Sequence, residues 1–222
     1  MSHRLYEILA EHLSERKRKL FDQVADQRTR YITLVLEDIY QAQNTSAIQR
    51  SAESWGLQDL YVIENAHTFA HHRRIAKGAN DWMDIHRFNK GKNNSKECLE
   101  QLKEKGYQIV VTTLRDDSKP LRDIDLTKKT AVVMGTELTG ASETALQYAD
   151  AKMVVPTYGF TESLNVAAAS ACILQNMTER IRREHIDWQL SPDDQLELKI
   201  KWAKKSIHWS KYLVDMYEAG EI

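Results

Sequence analysis

The sequence has few cysteines and no long apolar run, and each shortage excludes a class of protein. Its two cysteines, Cys98 and Cys172, lie far apart and in no metal-ligand spacing, which argues against a disulfide framework and a cysteine-based zinc site. No stretch approaches the roughly 18 consecutive apolar residues that a membrane span requires, and neither terminus has the apolar run of a signal peptide. We therefore expect a soluble, cytoplasmic protein with reduced thiols.

The chain also lacks an excess of one charge. Its formal net charge is -1, although 28% of the 222 residues are charged. This balance argues against a uniformly basic nucleic-acid coat, but affinity for phosphates depends on local patches rather than on the total. The length and the 42% hydrophobic content suit one medium α/β domain with appendages.

Short apolar, β-branched runs alternate with helical segments along the middle of the chain. This alternation predicts an α/β fold with a mostly parallel sheet and helices on both faces, and runs that are apolar throughout predict strands buried on both sides. The predicted strands are 31–36, 60–63, 108–113, 131–134 and 153–155, with 84–88 as a weaker sixth, and the predicted helices are 46–55, 95–105, 142–148 and 164–183.

The two ends of the chain are predicted to be helical. Apolar residues recur at helical spacing up to about residue 27, which fits two amphipathic helices or one bent helix. Ser191-Pro192-Asp193 is typical of a helix start, and the helix that follows is expected to reach about Tyr217. We therefore divide the chain into an extension 1–27, a central domain 28–184 and an extension 185–222. One face of the last helix is apolar, with Leu198, Trp202, Trp209, Leu213 and Met216.

Three stretches carry residues suited to chemistry. VVMGTELTGAS places Gly135 at the carboxyl end of a strand, where ligands bind in open parallel sheets. VVPTYGFTESLNVAAASACIL leads from a strand into a helix opened by Ser163 and Asn165, with free N–H groups at its start. QNTSAIQRSAESWG holds Asn44 and Arg50, with Thr45 or Ser46 as a candidate helix cap. Each stretch alone is also explained as an ordinary strand-to-helix turn.

In this order, the three stretches resemble the SPOUT class of methyltransferases, in particular its TrmH-type branch of tRNA and rRNA ribose 2′-O-methyltransferases. The resemblance covers residues from about 28 to 184. The matching positions are Asn44, Ala47 and Arg50 in the first motif, Gly135, Glu137 and Gly140 in the second, and Pro156, Ser163, Leu164, Asn165 and Ala168 in the third.

The resemblance implies a parallel sheet whose carboxyl-terminal part forms a deep trefoil knot, S-adenosylmethionine as cofactor, and a homodimer. It implies that Arg50 activates the ribose hydroxyl. Because a guanidinium has a pKa above about 12, we expect Arg50 to hold phosphate and polarise the hydroxyl rather than to act as a base. The implied cofactor contacts are Thr112, Gly135, Val155 and Leu164, and the implied catalytic residues are Arg50, Asn44, Glu137, Ser163 and Asn165.

At two positions the sequence differs from the family pattern, and these differences leave the identity of the substrate open. Ala42 stands where the family commonly has proline, and Leu138 follows Glu137 where a small or basic residue is common. Helices at both ends favour the branch that methylates the D-loop guanosine of tRNA. Methylation of ribosomal RNA and a non-catalytic, cofactor-binding RNA clamp remain alternatives, whereas an oxidoreductase would need a Gly-rich first turn.

Basic residues at both ends are candidates for RNA contact. The lysines of the carboxyl-terminal helix form a face of one sign, whereas acidic neighbours dilute the amino-terminal cluster. The spacing of His67 and His71 also fits a helical zinc pair, but no third ligand follows at a recognisable spacing, so we expect no metal. The candidate RNA-binding residues are Arg28, Arg30, Lys201, Lys204 and Lys205.

Overall fold

The computed structural model of the chain describes residues 2–70, 72–184 and 186–222. It comprises two compact units. One, called here the sheet unit, is Arg30–Trp188, and the other, the terminal unit, combines Met1–Thr29 with Gln189–Ile222.

Strands and helices alternate through the sheet unit, and the terminal unit is helical. The strands are β1 Ile32–Glu37, β2 Asp59–Ile63, β3 Asp84–Phe88, β4 Gln108–Thr112, β5 Lys119–Pro120, β6 Thr130–Met134 and β7 Ala151–Val154. The helices are α1 Ser2–Glu11, α2 Glu15–Asp26, α3 Ala42–Ser54, α4 Arg73–Ala76, α5 Asn94–Glu104, α6 Glu143–Tyr148, α7 Val166–Arg183, α8 Pro192–Ser206 and α9 Ser210–Glu218.

The sheet has the order β3-β2-β1-β6-β4-β7-β5, and every neighbouring pair is parallel. In its centre, Leu34 lies opposite Leu60 on one side and Val132 on the other. The predicted α/β fold is confirmed, including the weaker strand at 84–88. Strand β5 was not predicted, because two residues, Lys119 and Pro120, give no apolar run.

Strand β7 lies between β4 and β5, although the chain has already joined β4 to β5 through residues 113–118. Met153 of β7 lies opposite both Thr112 of β4 and Lys119 of β5. The chain therefore returns into a place that its own earlier connection borders. Such an insertion is what a knotted crossing requires, and it is rare because connections in most proteins do not thread loops.

Helices cover the sheet on both faces, as continuous apolar strands require. On one face Leu34 and Leu36 pack with Ile48 of α3 and Ile173 of α7 in one buried cluster. On the other face the cluster combines residues of the strands with residues of α5 and α6, namely Val35, Val111, Val133, Cys98, Leu99, Leu102 and Ala145. The carboxyl edge of the sheet is left to loops, which carry the candidate site.

Helix α3 begins four residues earlier than predicted. Gln41 is its N-cap residue and makes no side-chain capping hydrogen bond. The predicted capping role of Thr45 or Ser46 is therefore wrong, since both hydroxyls donate to carbonyls of the first turn or its neighbours. Ser46 Oγ lies 2.6 Å from the Ala42 carbonyl oxygen, and Thr45 Oγ1 lies 2.5 Å from that of Ala70.

The carboxyl-terminal helix is broken where one continuous helix was predicted. Ser191 caps α8 as expected, accepting a hydrogen bond from Asp194 N, but α8 ends at Ser206 and α9 starts at Ser210. Trp209 lies at this break, as the N-cap residue of α9, and is 47% exposed, whereas Trp202 of α8 is buried. Two separate amino-terminal helices are confirmed, with Ser14 capping the second. Within the described ranges, no helix is both long enough and apolar enough to cross a membrane.

Candidate active site

Three segments that are far apart in the sequence meet at the carboxyl edge of the sheet. Glu137 Oε1 accepts hydrogen bonds from Asn44 Nδ2 at 3.0 Å and from Asn165 Nδ2 at 2.9 Å. Asn165 Nδ2 also lies 3.2 Å from Asn44 Oδ1, which closes a triangle of side chains. The structure therefore brings together one residue from each of the three stretches that the sequence singled out.

Local structure fixes each member of this triangle. Asn165 is the N-cap residue of α7, and its Oδ1 accepts from Ala167 N and Ala168 N, so its Nδ2 is turned towards Glu137. Asn44 lies in the first turn of α3, is 8% exposed, and also donates to Gln41 Oε1 at 2.9 Å. Gln41 is not among the predicted site residues, although its position one helical turn before Asn44 is a signal in the sequence.

Glycine is required where the loop after β6 closes on itself. Thr136 and Gly140 exchange two backbone hydrogen bonds, each 3.0 Å long, and Gly140 has a φ of +72°. A Cβ atom at Gly135 would lie 2.2 Å from Ala141 N and 2.2 Å from the Gly140 carbonyl carbon. Only a residue without a side chain allows this approach. The loop thereby holds Glu137 at its tip.

A cavity of about 500 Å³ lies beside the triangle, between the ends of β4, β6 and β7. All four predicted cofactor residues line it: Thr112, Gly135, Val155 and Leu164. Glu137 and Ser163 line it as well. The side chain of Thr112 is committed to the sheet, since its hydroxyl donates to the Val133 carbonyl. Apolar lining residues that the sequence did not single out are Leu114, Met134, Met153, Val166 and Ile173.

Arg50 does not join the triangle. It lies on α3 six positions after Asn44, so the two side chains leave the helix in different directions. Its side chain is exposed, and no described residue forms a hydrogen bond or ion pair with it. Ser163 is likewise exposed at the cavity wall. Both groups are therefore open to a ligand rather than bound within the protein.

The loop after β2 is fixed beside α3 by two carboxylates. Asp38, which has a φ of +53°, accepts backbone hydrogen bonds from Asn65, Ala66 and His67 through its Oδ1 atom. Glu64 accepts from Phe69 N and from the Arg87 guanidinium. Hydrogen bonds from Arg87 hold the pKa of the Glu64 carboxyl below its usual range despite partial burial.

The candidate histidine pair can be placed only in part. His67 lies in the irregular loop rather than on a helix, and His71 lies outside the described residues. Across 2–70, 72–184 and 186–222, no group of three or more His, Cys, Asp or Glu side chains is placed to hold a metal ion.

One predicted RNA contact is corrected by the structure. Arg28 is 1% exposed and its guanidinium lies 5.7 Å from the centre of the Trp202 ring, so it is not available to a phosphate. Arg30 pairs with Asp59 at 3.0 Å and Asp84 at 3.3 Å, its side chain is 30% exposed, and its contact with RNA stays a prediction. The candidate contacts on α8, by contrast, are all exposed: Lys201, Lys204 and Lys205.

We expect Gly135→Ala to lower the free energy of unfolding by about 2 kcal/mol or more, because the added methyl group must displace backbone atoms. Gly159→Ala is the matched control, since a Cβ there meets nothing within 4 Å, and should change stability by less than about 0.5 kcal/mol. Urea denaturation of both variants measures the difference. Equal unfolding free energies would contradict the close approach.

The chain is similar to known proteins. Residues 31–175 match the SpoU rRNA Methylase family. The chain is 34% identical over 200 residues to the tRNA (guanosine(18)-2′-O)-methyltransferase of Borreliella burgdorferi, covering 90% of each chain. It is 29% identical to the enzyme of the same name from Thermus thermophilus, covering 86% of this chain and 98% of that one.

Solved structures agree with the sequence matches. The crystal structure of the TrmH/SpoU tRNA modifying enzyme of A. aeolicus superposes with a TM-score of 0.78 at 28% identity, covering 87% of this chain and 98% of the other. Asn44, Glu137 and Asn165 all lie within the matched residues 31–175. The chain therefore belongs to the SpoU rRNA methylase family.

Proposed function

We propose that this protein transfers a methyl group from S-adenosylmethionine to a ribose 2′-hydroxyl of tRNA, at guanosine 18 of the D-loop. The observation that carries the proposal is the triangle of Asn44, Glu137 and Asn165 at the wall of the cavity. The names of the relatives that match over most of their length support the choice of tRNA and of this guanosine.

The cavity suits S-adenosylmethionine. Its volume of about 500 Å³ falls in the range of small-molecule sites, and its wall is mostly apolar with a few polar groups. Leu114, Leu138 and Leu164, which are exposed at the wall, offer apolar contacts for a flat purine ring. Glu137 and Ser163 offer polar ones. When bound, the cofactor supplies an electrophilic methyl group on a cationic sulfur.

Arg50 and Asn44 are proposed to act on the substrate side. Arg50 is exposed and unengaged among the described residues, so its guanidinium is free to hold a phosphate of the RNA. Its high pKa makes it a poor base, and we propose that it polarises the hydroxyl while the proton leaves to phosphate or water. Asn44, held by Gln41, Glu137 and Asn165, then keeps the edge of the site rigid.

Glu137, Ser163 and Asn165 are proposed to shape the pocket. Glu137 Oε1 takes hydrogen bonds from two amides and from Val166 N, so its position depends on both neighbouring segments. Ser163 lines the cavity with an exposed hydroxyl that a ligand can reach. Rate enhancement would then come from positioning and not from a covalent intermediate.

The terminal helices, assigned to extensions 1–27 and 185–222 around a methyltransferase domain 28–184, are proposed to grip the tRNA backbone. Acidic residues occupy the first turn of α8, and lysines follow towards its end, where Lys201, Lys204 and Lys205 are exposed. We also propose a homodimer and a cytoplasmic location, which the family resemblance implies. Ribosomal RNA remains the second candidate substrate, because the matching family is described by that name.

Unmodified tRNA transcripts should accept labelled methyl groups from S-adenosylmethionine, and replacing the D-loop guanosine 18 by adenosine should abolish transfer at that position. The measurement is methyl incorporation followed by mass-spectrometric mapping of the nucleosides. Ribosomal RNA transcripts serve as the comparison. Methylation of those transcripts with none on tRNA would select the second candidate, and no transfer to either would support the non-catalytic clamp.

Arg50→Ala should lower single-turnover methyl transfer by about 10²-fold or more, because the side chain is proposed to stabilise developing charge on the attacking oxygen. Binding of cofactor and tRNA should change much less. Arg122→Ala is the control, since Arg122 is also an exposed arginine of the sheet unit but has no proposed role in the reaction. Near-normal transfer by Arg50→Ala would remove Arg50 from the mechanism.

Reversing the charges of Lys201, Lys204 and Lys205 to glutamate should weaken tRNA binding and flatten its salt dependence. Each lost phosphate contact lowers the slope of log affinity against log salt by roughly 0.7 to 0.9. Filter binding at several salt concentrations measures both effects.

The control reverses the same number of charges on α2, at Arg16, Arg18 and Lys19. Its effect should be smaller, because Glu15 already pairs with Lys19 at 2.7 Å. If the α8 variant bound tRNA like the unmodified protein, that face would be a solvated surface only.

A further inference from the structure

A buried carboxylate outside the triangle holds the end of the loop 135–141, which follows β6. Glu37 is the last residue of β1 and is 2% exposed. Its Oε2 accepts from Ser142 N at 2.9 Å, and its Oε1 accepts from Ser142 Oγ at 2.7 Å and from Ser95 Oγ at 2.5 Å. Three donors surround this carboxylate, and hydrogen bonds of this kind compensate the cost of burying a polar group.

The serine that Glu37 holds connects the loop 135–141 to helix α6. Ser142 is the N-cap residue of α6, and its hydroxyl accepts from Ala145 N at 3.0 Å. It directly follows Ala141, whose backbone nitrogen packs against Gly135. Any shift of Ser142 therefore moves Gly140 and Ala141 relative to Gly135.

That shift would reach the candidate site through the loop itself. Thr136 and Gly140 are joined by two backbone hydrogen bonds, and Glu137 lies between them. Gly135 and Glu137 line the cavity. Because these two hydrogen bonds tie Gly140 to Thr136, a displacement of Gly140 and Ala141 is passed on to Thr136 and Glu137.

We propose that Glu37 is a positioning residue for the cofactor side of the site: it fixes Ser142, and through Ser142 it holds the loop 135–141 in the shape that binds S-adenosylmethionine. The proposal rests on the proposed function, since it concerns the same cavity. It assigns to Glu37 no contact with cofactor or RNA.

The next residue provides a matched comparison. Asp38 also carries a carboxylate that accepts three hydrogen bonds, but these come from the backbone of residues 65–67, in a different loop. Asp38→Asn and Glu37→Gln each replace one carboxylate by its amide at adjacent positions. Asparagine also tolerates the positive φ of position 38.

The experiment is calorimetric titration of the full-length variants with S-adenosylmethionine, together with tRNA binding in its absence. We expect Glu37→Gln to weaken cofactor binding by about tenfold, because the amide cannot accept from Ser142 N and from both hydroxyls at once. Asp38→Asn should bind the cofactor within about twofold of the unmodified protein. The tRNA affinity of Glu37→Gln should stay unchanged, and its KM for S-adenosylmethionine should rise more than its kcat falls.

Three outcomes would overturn the assignment of Glu37. They are cofactor affinity unchanged in Glu37→Gln, equal loss in Glu37→Gln and Asp38→Asn, and equal loss of cofactor and tRNA binding. If Glu37→Gln does not fold, Ser142→Ala decides: weaker cofactor binding supports the role, and unchanged binding overturns it. If the unmodified protein binds no S-adenosylmethionine, the proposed function fails and this inference fails with it. If the unmodified protein binds the cofactor and Glu37→Gln binds it equally well, the inference alone fails.

Discussion

The Oε1 atom of Glu137 accepts hydrogen bonds from Asn44, Asn165 and the backbone of Val166, and the candidate site depends on these contacts. They join the start of α3, the loop after β6 and the start of α7. A carboxylate oxygen can accept several hydrogen bonds, so this one side chain joins all three segments. The cavity lies beside this junction, and its wall includes Glu137 itself.

The junction exists because β7 lies between β4 and β5. In this position the end of β7 is separated from the end of β6 by β4 alone. The loops after β6 and β7 can therefore face each other across the end of β4. Carboxyl-end loops of parallel strands form ligand sites in many folds, and here Glu137 of the loop after β6 accepts a hydrogen bond from Asn165, which follows β7.

Much of the fold could be predicted from the sequence. The features that could not be predicted depend on contacts that a local pattern does not show. Apolar runs predicted six of the seven strands, because buried parallel strands need them. The break after Ser206 and the early start of α3 depend on local packing and capping that periodicity does not report.

Residue roles that depend on distant partners were harder to predict. Arg28 is a basic residue of the kind that contacts RNA, but its guanidinium lies against the ring of Trp202. Trp202 is far from Arg28 in the sequence. Ser142 reaches Glu37 across 105 positions, so no local pattern marks the pair. By contrast, Asn44, Glu137 and Asn165 could be named because the family resemblance supplied the long-range information. Their catalytic roles stay predictions, although the structure places them in contact.

The insertion of β7 also constrains the order in which the molecule can form. Residues 113–118 must leave room for β7 before the sheet closes, and β5 offers only two residues to hold the far edge. A chain synthesised from its amino end exposes this connection before residues 151–154 emerge, so an open loop can await the strand that enters it. The cavity and the Glu137 junction both use residues after β7, so the site is complete only when β7 and the start of α7 are in place.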